Sequence, residues 1–391
     1  MAIDLLVTDR YLDVLGDPIT GWTKLSVDLN FNAPASGEIT VPAYPDVMQL
    51  LQPGNRLVII RDGAIWCAGP LEEPQNYTWD LEQNAGGTVT ARFSDDLARV
   101  AGYLTYPEPG EVFEDQTTTS NVLRTFTTVR SESVIRALVN ENCGPGALAG
   151  RRIEGLVLDA VANVGTDVTF QTRFEPLLDA CRILAAGGGA LGFRTRQVGS
   201  QIRFGVYAPV DRTGTARFSA GLGNLRSVSF TLGAPTATSE LVQGGDDPAQ
   251  EATPPNEREY VEVTADDAVT QWYRVEKLLE KSGTHSGGGA LILAGVAALT
   301  EDGPQASLST VTVDTEDLRA GRDYGLGDRV TVVLPTGREV VDTVQAVRLE
   351  ATPTGGEVVT CVIGGGDKET TSATERTLRE VLRLARAWGV R

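Results

Sequence analysis

The chain has 391 residues with 52 acidic and 34 basic side chains, a net charge of −18, 41 % hydrophobic residues, four cysteines and one histidine. That length predicts two to four domains with ample surface to bury a core, and the apolar content excludes a disordered chain. The acid excess argues against a basic face that tracks DNA or an anionic membrane, because that mode needs clustered Lys and Arg to displace counterions.

Cys67, Cys143, Cys181 and Cys361 are too far apart for a zinc knuckle or a redox CxxC, and too few for a disulfide scaffold. They are expected to be reduced core residues. The start, Met1-Ala2-Ile3-Asp4-Leu5, lacks the basic and apolar regions of a secretion signal. The longest apolar run, Ala290–Leu299, falls well short of the roughly 20 residues that span a bilayer. A soluble protein without a membrane anchor is expected.

The first hundred residues read as β. Short alternating runs such as Lys24–Leu29 and Gly37–Val41 are broken by Gly, Pro and Asn. Arg56–Arg61 and Ala64–Ala68 flank Asp62-Gly63, a pair that favours a type I′ hairpin turn because both central residues need positive φ. Thr88–Phe93 adds a strand and Asp95–Ala101 a short helix. Past Pro107–Gly110 helices take over. One is predicted with Ser131 as its N-cap and Val134, Ile135, Leu138 and Val139 on one face, ending at Gly144. A second begins near Thr172–Phe174, carries Phe174, Leu177, Leu178, Cys181, Leu184 and Ala185 inward, and stops at Gly187-Gly188-Gly189. Strands return at Ala190–Arg194, Gln201–Tyr207 and Ala216–Ser219, which makes the middle of the chain α/β.

Further strands are predicted at Val228–Leu232 and Tyr260–Val263, on either side of an acidic, proline-bearing loop at Gly244–Glu257. Residues 266–281 and 288–300 read as helices. Strands at Ser309–Val313, Arg329–Leu334, Glu339–Leu349 and Glu357–Ile363 complete the folded part. After Gly364–Gly366 comes a terminal helix from about Ala373 to Trp388 with an apolar stripe of Leu378, Val381, Leu382, Ala385 and Trp388. Such a stripe must dock on its own body or on a neighbouring chain. One internal echo stands out: Gly54-Asn55-Arg56 and Gly327-Asp328-Arg329 each introduce a β-branched strand and a hairpin.

Little in the chain supports catalysis. His285, the one histidine, sits in a Ser/Thr/Gly linker where nothing rigid orients its ring, which leaves no His-based triad or His-rich metal site. Gly187–Gly189 lacks the Gly-Lys-Ser/Thr ending of a phosphate-binding loop and follows a helix instead of preceding one. The pairs Asp95-Asp96, Asp246-Asp247 and Asp266-Asp267 read as solvated turn acids; none has the Gly-interrupted spacing of a calcium loop. No catalytic residue, cofactor or metal ligand is therefore assigned, and the protein is read as a non-enzyme. Trp66, Tyr77 and Trp79 near the first hairpin are the only aromatic candidates for a carbohydrate-binding face.

Four stretches together resemble the minor tail proteins of siphoviruses that infect actinobacteria, a family placed at the tail tip as a hub. They are the Gly54–Gly69 hairpin with its Cys-Ala-Gly ending, Arg217-Phe218-Ser219 leading to Leu222-Gly223-Asn224-Leu225, Trp272-Tyr273-Arg274-Val275-Glu276, and Tyr324-Gly325-Leu326-Gly327-Asp328-Arg329-Val330. The resemblance implies a β-rich α+β fold of two small β-barrel domains with an α/β domain between them. On that pattern residues 1–105 form the first barrel and 106–225 the α/β domain. Residues 226–366 form the second barrel with a helical insertion at about 266–303, and 367–391 the C-terminal helix.

The function implied is structural. A homotrimeric ring would close the tail tube and contact the distal tail protein, the tape-measure protein and receptor-binding tip proteins, while genome DNA passes through without specific binding. Leu378, Leu382, Ala385 and Trp388 are the candidate partner-binding residues. A carbohydrate-binding or hydrolytic tail-tip protein is the alternative, and a spike protein of a cellular injection system a third.

Overall fold

In a computed structural model that describes residues 3–81, 86–117, 122–246, 258–281 and 288–364, Asp62 and Gly63 have φ of +51° and +78°. The Asp-Gly pair thus makes the tight turn that its sequence predicts. The strands and helices follow in chain order. The first part of the chain forms β1 (Ile3–Thr8), β2 (Val14–Leu15), β3 (Lys24–Asn30), β4 (Ala33–Pro42), α1 (Pro45–Leu50), β5 (Arg56–Arg61), β6 (Ala64–Thr78), β7 (Thr88–Ser94) and α2 (Leu97–Ala101). The middle forms β8 (Arg124–Arg130), α3 (Ser131–Asn142), β9 (Leu156–Leu158), β10 (Asp167–Thr172), α4 (Leu177–Gly187), β11 (Gly192–Val198), β12 (Gln201–Tyr207) and β13 (Arg217–Ser219). The last part forms β14 (Leu225–Gly233), β15 (Ser239–Asp246), β16 (Arg258–Thr264), α5 (Asp266–Gln271), β17 (Glu276–Lys281), α6 (Gly288–Asp302), β18 (Gln305–Thr312), β19 (Arg329–Val333), β20 (Glu339–Thr352) and β21 (Gly356–Ile363).

The largest sheet has 11 strands and joins the two ends of the chain. Its order is β13-β19-β20-β3-β4-β7-β6-β5-β1-β2, and β21 also pairs with β20. The junction is the antiparallel pairing of β3 with β20, from Leu25 opposite Ala351 to Asn30 opposite Ala346. One core runs under the whole sheet, holding Leu5, Val27, Ile39 and Phe93 from the first part together with Phe218, Val332, Leu349 and Cys361. Each such fully buried side chain contributes roughly 1.5–3 kcal/mol. Among the described residues the ladder is one open path, with no closed barrel. The β14–β18 ribbon meets β21 through side chains instead: the Thr310 hydroxyl donates to the Cys361 carbonyl at 2.9 Å, and the Cys361 N–H donates to Thr312 Oγ1 at 2.8 Å.

A second core sits in the α/β middle, where α3 and α4 pack with the β11-β12-β9 and β10-β8 sheets around Ile135, Leu138, Leu184, Phe193 and Phe204. The helix α6 buries Leu291, Leu293, Ala294 and Ala297 between α4 and β10 on one side and β15 and β16 on the other, and leaves Ile292 exposed. A Cβ on Gly187 would come within 2.4 Å of Leu293 Cδ1, and one on Gly295 within 2.6 Å of Val263 Cγ2. Both approaches therefore depend on the missing side chain.

Three local expectations need correction. Residues 266–281 are not one helix: α5 ends at Gln271, and Glu276–Lys281 pairs in parallel with β15 from Ser239 to Gly244. The alternation of Glu-Lys-Leu-Leu-Glu-Lys suits this half-exposed strand, and tertiary pairing overrides its helix propensity. Ser131 is the first helical residue of α3, with Arg130 at the N-cap, because its hydroxyl is engaged by the Gly188 carbonyl at 2.8 Å. Thr172 belongs to β10 and α4 begins only at Leu177, after Pro176. The predicted terminal helix, about Ala373 to Trp388, lies outside the described residues.

Candidate functional site

The chemistry-bearing groups are mostly buried. All four cysteines are free and buried. Burial pushes the Cys143 and Cys361 thiols up to about 12 and moves those of Cys67 and Cys181 upward as well, the opposite of what a nucleophilic thiolate needs. Asp95 and Asp96 are not the solvated turn acids that adjacency suggested. Asp96 forms an ion pair with Arg56 in which both side chains are only 2 % exposed, and Arg56 also donates to Thr8 Oγ1 at 3.1 Å. Burial raises the Asp95 carboxyl to about 7. Asp266 and Asp267 occupy the first turn of α5, where negative charge complements the helix dipole. His285 and Asp247 lie outside the described residues. Among the described residues no three His, Cys, Asp or Glu side chains are grouped to hold a metal, and no helix is long and apolar enough to cross a membrane.

The two echoing turns meet in the same sheet, with Gly54 at φ +88° and Gly327 at +86°. Their arginines part company. Arg56 is locked in the core beside Asp96, whereas Arg329 is exposed beside Asp211 at 3.6 Å. The echo therefore holds for the turn and for the antiparallel hairpin that follows it, β5–β6 and β19–β20, and fails for the environment of the arginine.

The aromatic candidates separate. Trp66 is half-buried under the Arg61 guanidinium, 4.7 Å from its ring centroid. Tyr77 and Trp79 lie at the other end of β6, exposed together with Leu81. A 13-residue span of strand is about 40 Å, so the three cannot form one sugar platform. The candidate partner-binding residues Leu378, Leu382, Ala385 and Trp388 lie outside the described residues.

A surface that periodicity missed is the loop Glu108–Thr117. Gln116, itself buried, donates from Nε2 to the carbonyls of Glu108 and Glu111 at 2.7 and 2.8 Å and accepts from the Glu108 N–H at 3.1 Å. The Glu108 carboxylate accepts from the Thr117 N–H at 2.8 Å. These bonds fix a short 3₁₀ turn at Phe113–Asp115 and present Phe113, 64 % exposed, beside Val112. Phe113 leans edge-on against Phe174 at 5.9 Å, and Phe174 in turn against Tyr106 at 5.7 Å. The available signal was compositional: Glu108, Glu111, Glu114 and Asp115 surround two large apolar residues with no base between them.

With this geometry in hand, comparison with known proteins is informative. Residues 4–365 match the family described as Siphovirus ReqiPepy6 Gp37-like protein. The chain belongs to that family. No curated protein sequence matches it. Solved structures that share its fold include three tail proteins. The 43 kDa tail protein of prophage MuSo2 from Shewanella oneidensis is 10 % identical with a TM-score of 0.55, over 92 % of this chain and 97 % of its own. A tail protein from Neisseria meningitidis MC58 is 12 % identical with a TM-score of 0.55, over 93 % and 96 %. The prophage tail protein gp18 from Listeria monocytogenes EGD-e is 12 % identical with a TM-score of 0.54, over 97 % and 99 %. At such identities the likeness is one of fold. The siphovirus family and the shared β-rich α+β architecture agree with the resemblance read from the four motif stretches.

Proposed function

We propose that the protein is a structural, non-catalytic subunit of a siphovirus tail, located at the tail tip as a ring of three copies. The observation that carries this reading is the family match across residues 4–365, on a fold shared end to end with three phage tail proteins. In this reading the strands on either side of the β3–β20 junction are two barrel-like lobes held in one sheet, which gives each subunit a rigid body suited to closing a tube. The distal tail protein, the tape-measure protein and receptor-binding proteins are its proposed neighbours. DNA passes through the ring without specific contact, since the net charge of −18 repels phosphate.

Cryo-electron microscopy of the virion tests the location, and sedimentation velocity of the purified full chain tests the ring. Density for this fold three times around the tip axis is expected. Density only in the capsid, or a strict monomer at every concentration, overturns the proposal.

A further inference from the structure

The charge of the chain is segregated. Residues 180–239 contain seven arginines and one acid, Asp211, for a net +6, which leaves −24 for the remainder. Three of those arginines share one face of a sheet. In the β11–β12 ladder Arg196 lies directly opposite Arg203, and Arg194 opposite Gly205, while the alternate residues Phe193, Ile202 and Phe204 point into the second core. Arg196 and Arg203 both turn to a single carboxylate, Asp159. Arg194 lies over the Tyr207 ring at 4.8 Å. The Tyr207 hydroxyl donates to the Leu326 carbonyl at 3.0 Å, so the chain before β19 closes that end of the face, while Arg194 and Arg196 stay exposed. The exposed part is therefore cationic, with three guanidinium groups to the one carboxylate of Asp159.

We infer that this outer face of β11 and β12 receives the Glu108–Asp115 loop of a second copy of the chain. The inference rests on the ring reading and names its contact. Charge complementarity carries it: Glu111, Glu114 and Asp115 are exposed around Phe113 and Val112, matching the guanidinium groups of Arg194, Arg196 and Arg203 on one face of the ladder. The loop is fixed in advance by Gln116, so docking orders few groups and Phe113 serves as a rigid anchor. The two patches are different surfaces of one subunit, as a head-to-tail contact that closes into a ring requires. A DNA backbone fits less well, because Asp159 stands among the arginines and the face offers no uninterrupted track for phosphates.

The test uses the full chain in sedimentation velocity over a range of concentrations. The double variants Arg194→Glu/Arg196→Glu and Glu111→Arg/Glu114→Arg are each expected to raise the midpoint concentration of assembly at least tenfold, and their combination to recover most of it. A second readout is independent of charge. Arg194→Cys with Glu114→Cys, treated with a short bismaleimide, is expected to give covalent dimers and trimers, and the four native thiols are buried and stay silent. A wild-type chain that assembles while the variants assemble equally, with no crosslink, overturns this contact and leaves the ring standing. A wild-type chain that never assembles overturns both. Retention of fluorescent duplex DNA that disappears with Arg194→Glu/Arg196→Glu overturns the second-copy assignment in favour of DNA.

Discussion

Arg61 on β5 donates from Nε to Glu357 Oε1 on β21 at 3.0 Å, joining positions 296 apart in the chain. Its Nη2 also reaches Asp314 at 3.4 Å, and Trp66 covers the guanidinium. The cluster ties β5 to β21 through side chains, in the same row where Ala351 of β20 pairs with Glu357 on one side and Leu25 of β3 on the other. Arg61→Met should leave Glu357 and Asp314 as neighbouring, largely buried acids without a cation. Loss of about 3–5 kcal/mol at neutral pH is expected for such a stranded pair. Burial already raises the Asp314 carboxyl, and removing Arg61 raises it further. The loss should therefore shrink as pH falls and Asp314 takes up a proton. Urea denaturation at pH 5 and pH 8 measures it, and equal losses at both would count against this account.

Arg56 and Asp96 form the other buried pair. Asp96→Leu or Arg56→Met alone should cost about 3–5 kcal/mol, because each leaves an uncompensated charged group in the core. The double variant Arg56→Met/Asp96→Leu should recover much of that loss. Denaturation midpoints of the three variants form the cycle; strict additivity would show that the two side chains do not act as a pair.

Asp95 carries a pH signature of its own. Its folded-state value of about 7 stands above the ordinary 3.8, so the native chain binds the proton more tightly than the unfolded chain. The charged carboxyl then destabilises the fold in full above pH 7, and the penalty fades as pH falls from 7 toward 4. Asp95→Asn keeps an acceptor for the Leu97 N–H, now at 3.2 Å. It should be more stable than wild type at pH 8, by at most about 4 kcal/mol, with the difference closing near pH 4. A melting-temperature series across that range decides the matter.

Gly69 on β6 passes against the turn into α2 with no room for a side chain. A Cβ there would lie 2.1 Å from the Ser94 carbonyl oxygen and 2.5 Å from Asp95 Cα, both backbone atoms. Gly69→Ala should cost about 3 kcal/mol or more, since backbone must move. Gly63→Ala, in open space but at φ +78°, should cost about 1 kcal/mol from the left-handed conformation alone. Thermal denaturation of both variants ranks them, and the reverse order would contradict the close approach.

Ending the chain after Gly366 should leave the melting transition in place, because both cores lie within residues 3–364. If Leu378, Leu382, Ala385 and Trp388 dock between copies, the same truncation weakens self-association. Calorimetry reads the first outcome and sedimentation the second. Unchanged assembly would remove those four residues from the interface.

Sequence reasoning read local geometry well and long-range pairing poorly. Asp62-Gly63 announced its turn because the φ requirement is carried by two adjacent residues. The inward faces of α3 and α4 followed from spacing alone, with Val134, Ile135, Leu138 and Leu184 all buried. Glu276–Lys281 failed because its period-two pattern is short and its stabilising partner, β15, is set by the fold. Asp95-Asp96 failed because nothing in the adjacent residues points to Arg56, 40 positions earlier. The arginine face was legible only as a charge count over residues 180–239, and its assembly on one side of β11 and β12 needed the ladder register.

The pairing of β3 with β20 also sets an order of events during synthesis. Asp28 and the residue it meets across that ladder, Arg348, are 320 positions apart. At about 5–20 residues per second the ribosome needs some tens of seconds to supply the second strand. Throughout that interval β3 is an unpaired edge beside a nearly complete apolar face, open to any other nascent chain. Yield in a host cell should therefore depend on what shelters that edge while translation continues, and slowing the ribosome should lower soluble yield more than a mild loss of equilibrium stability does.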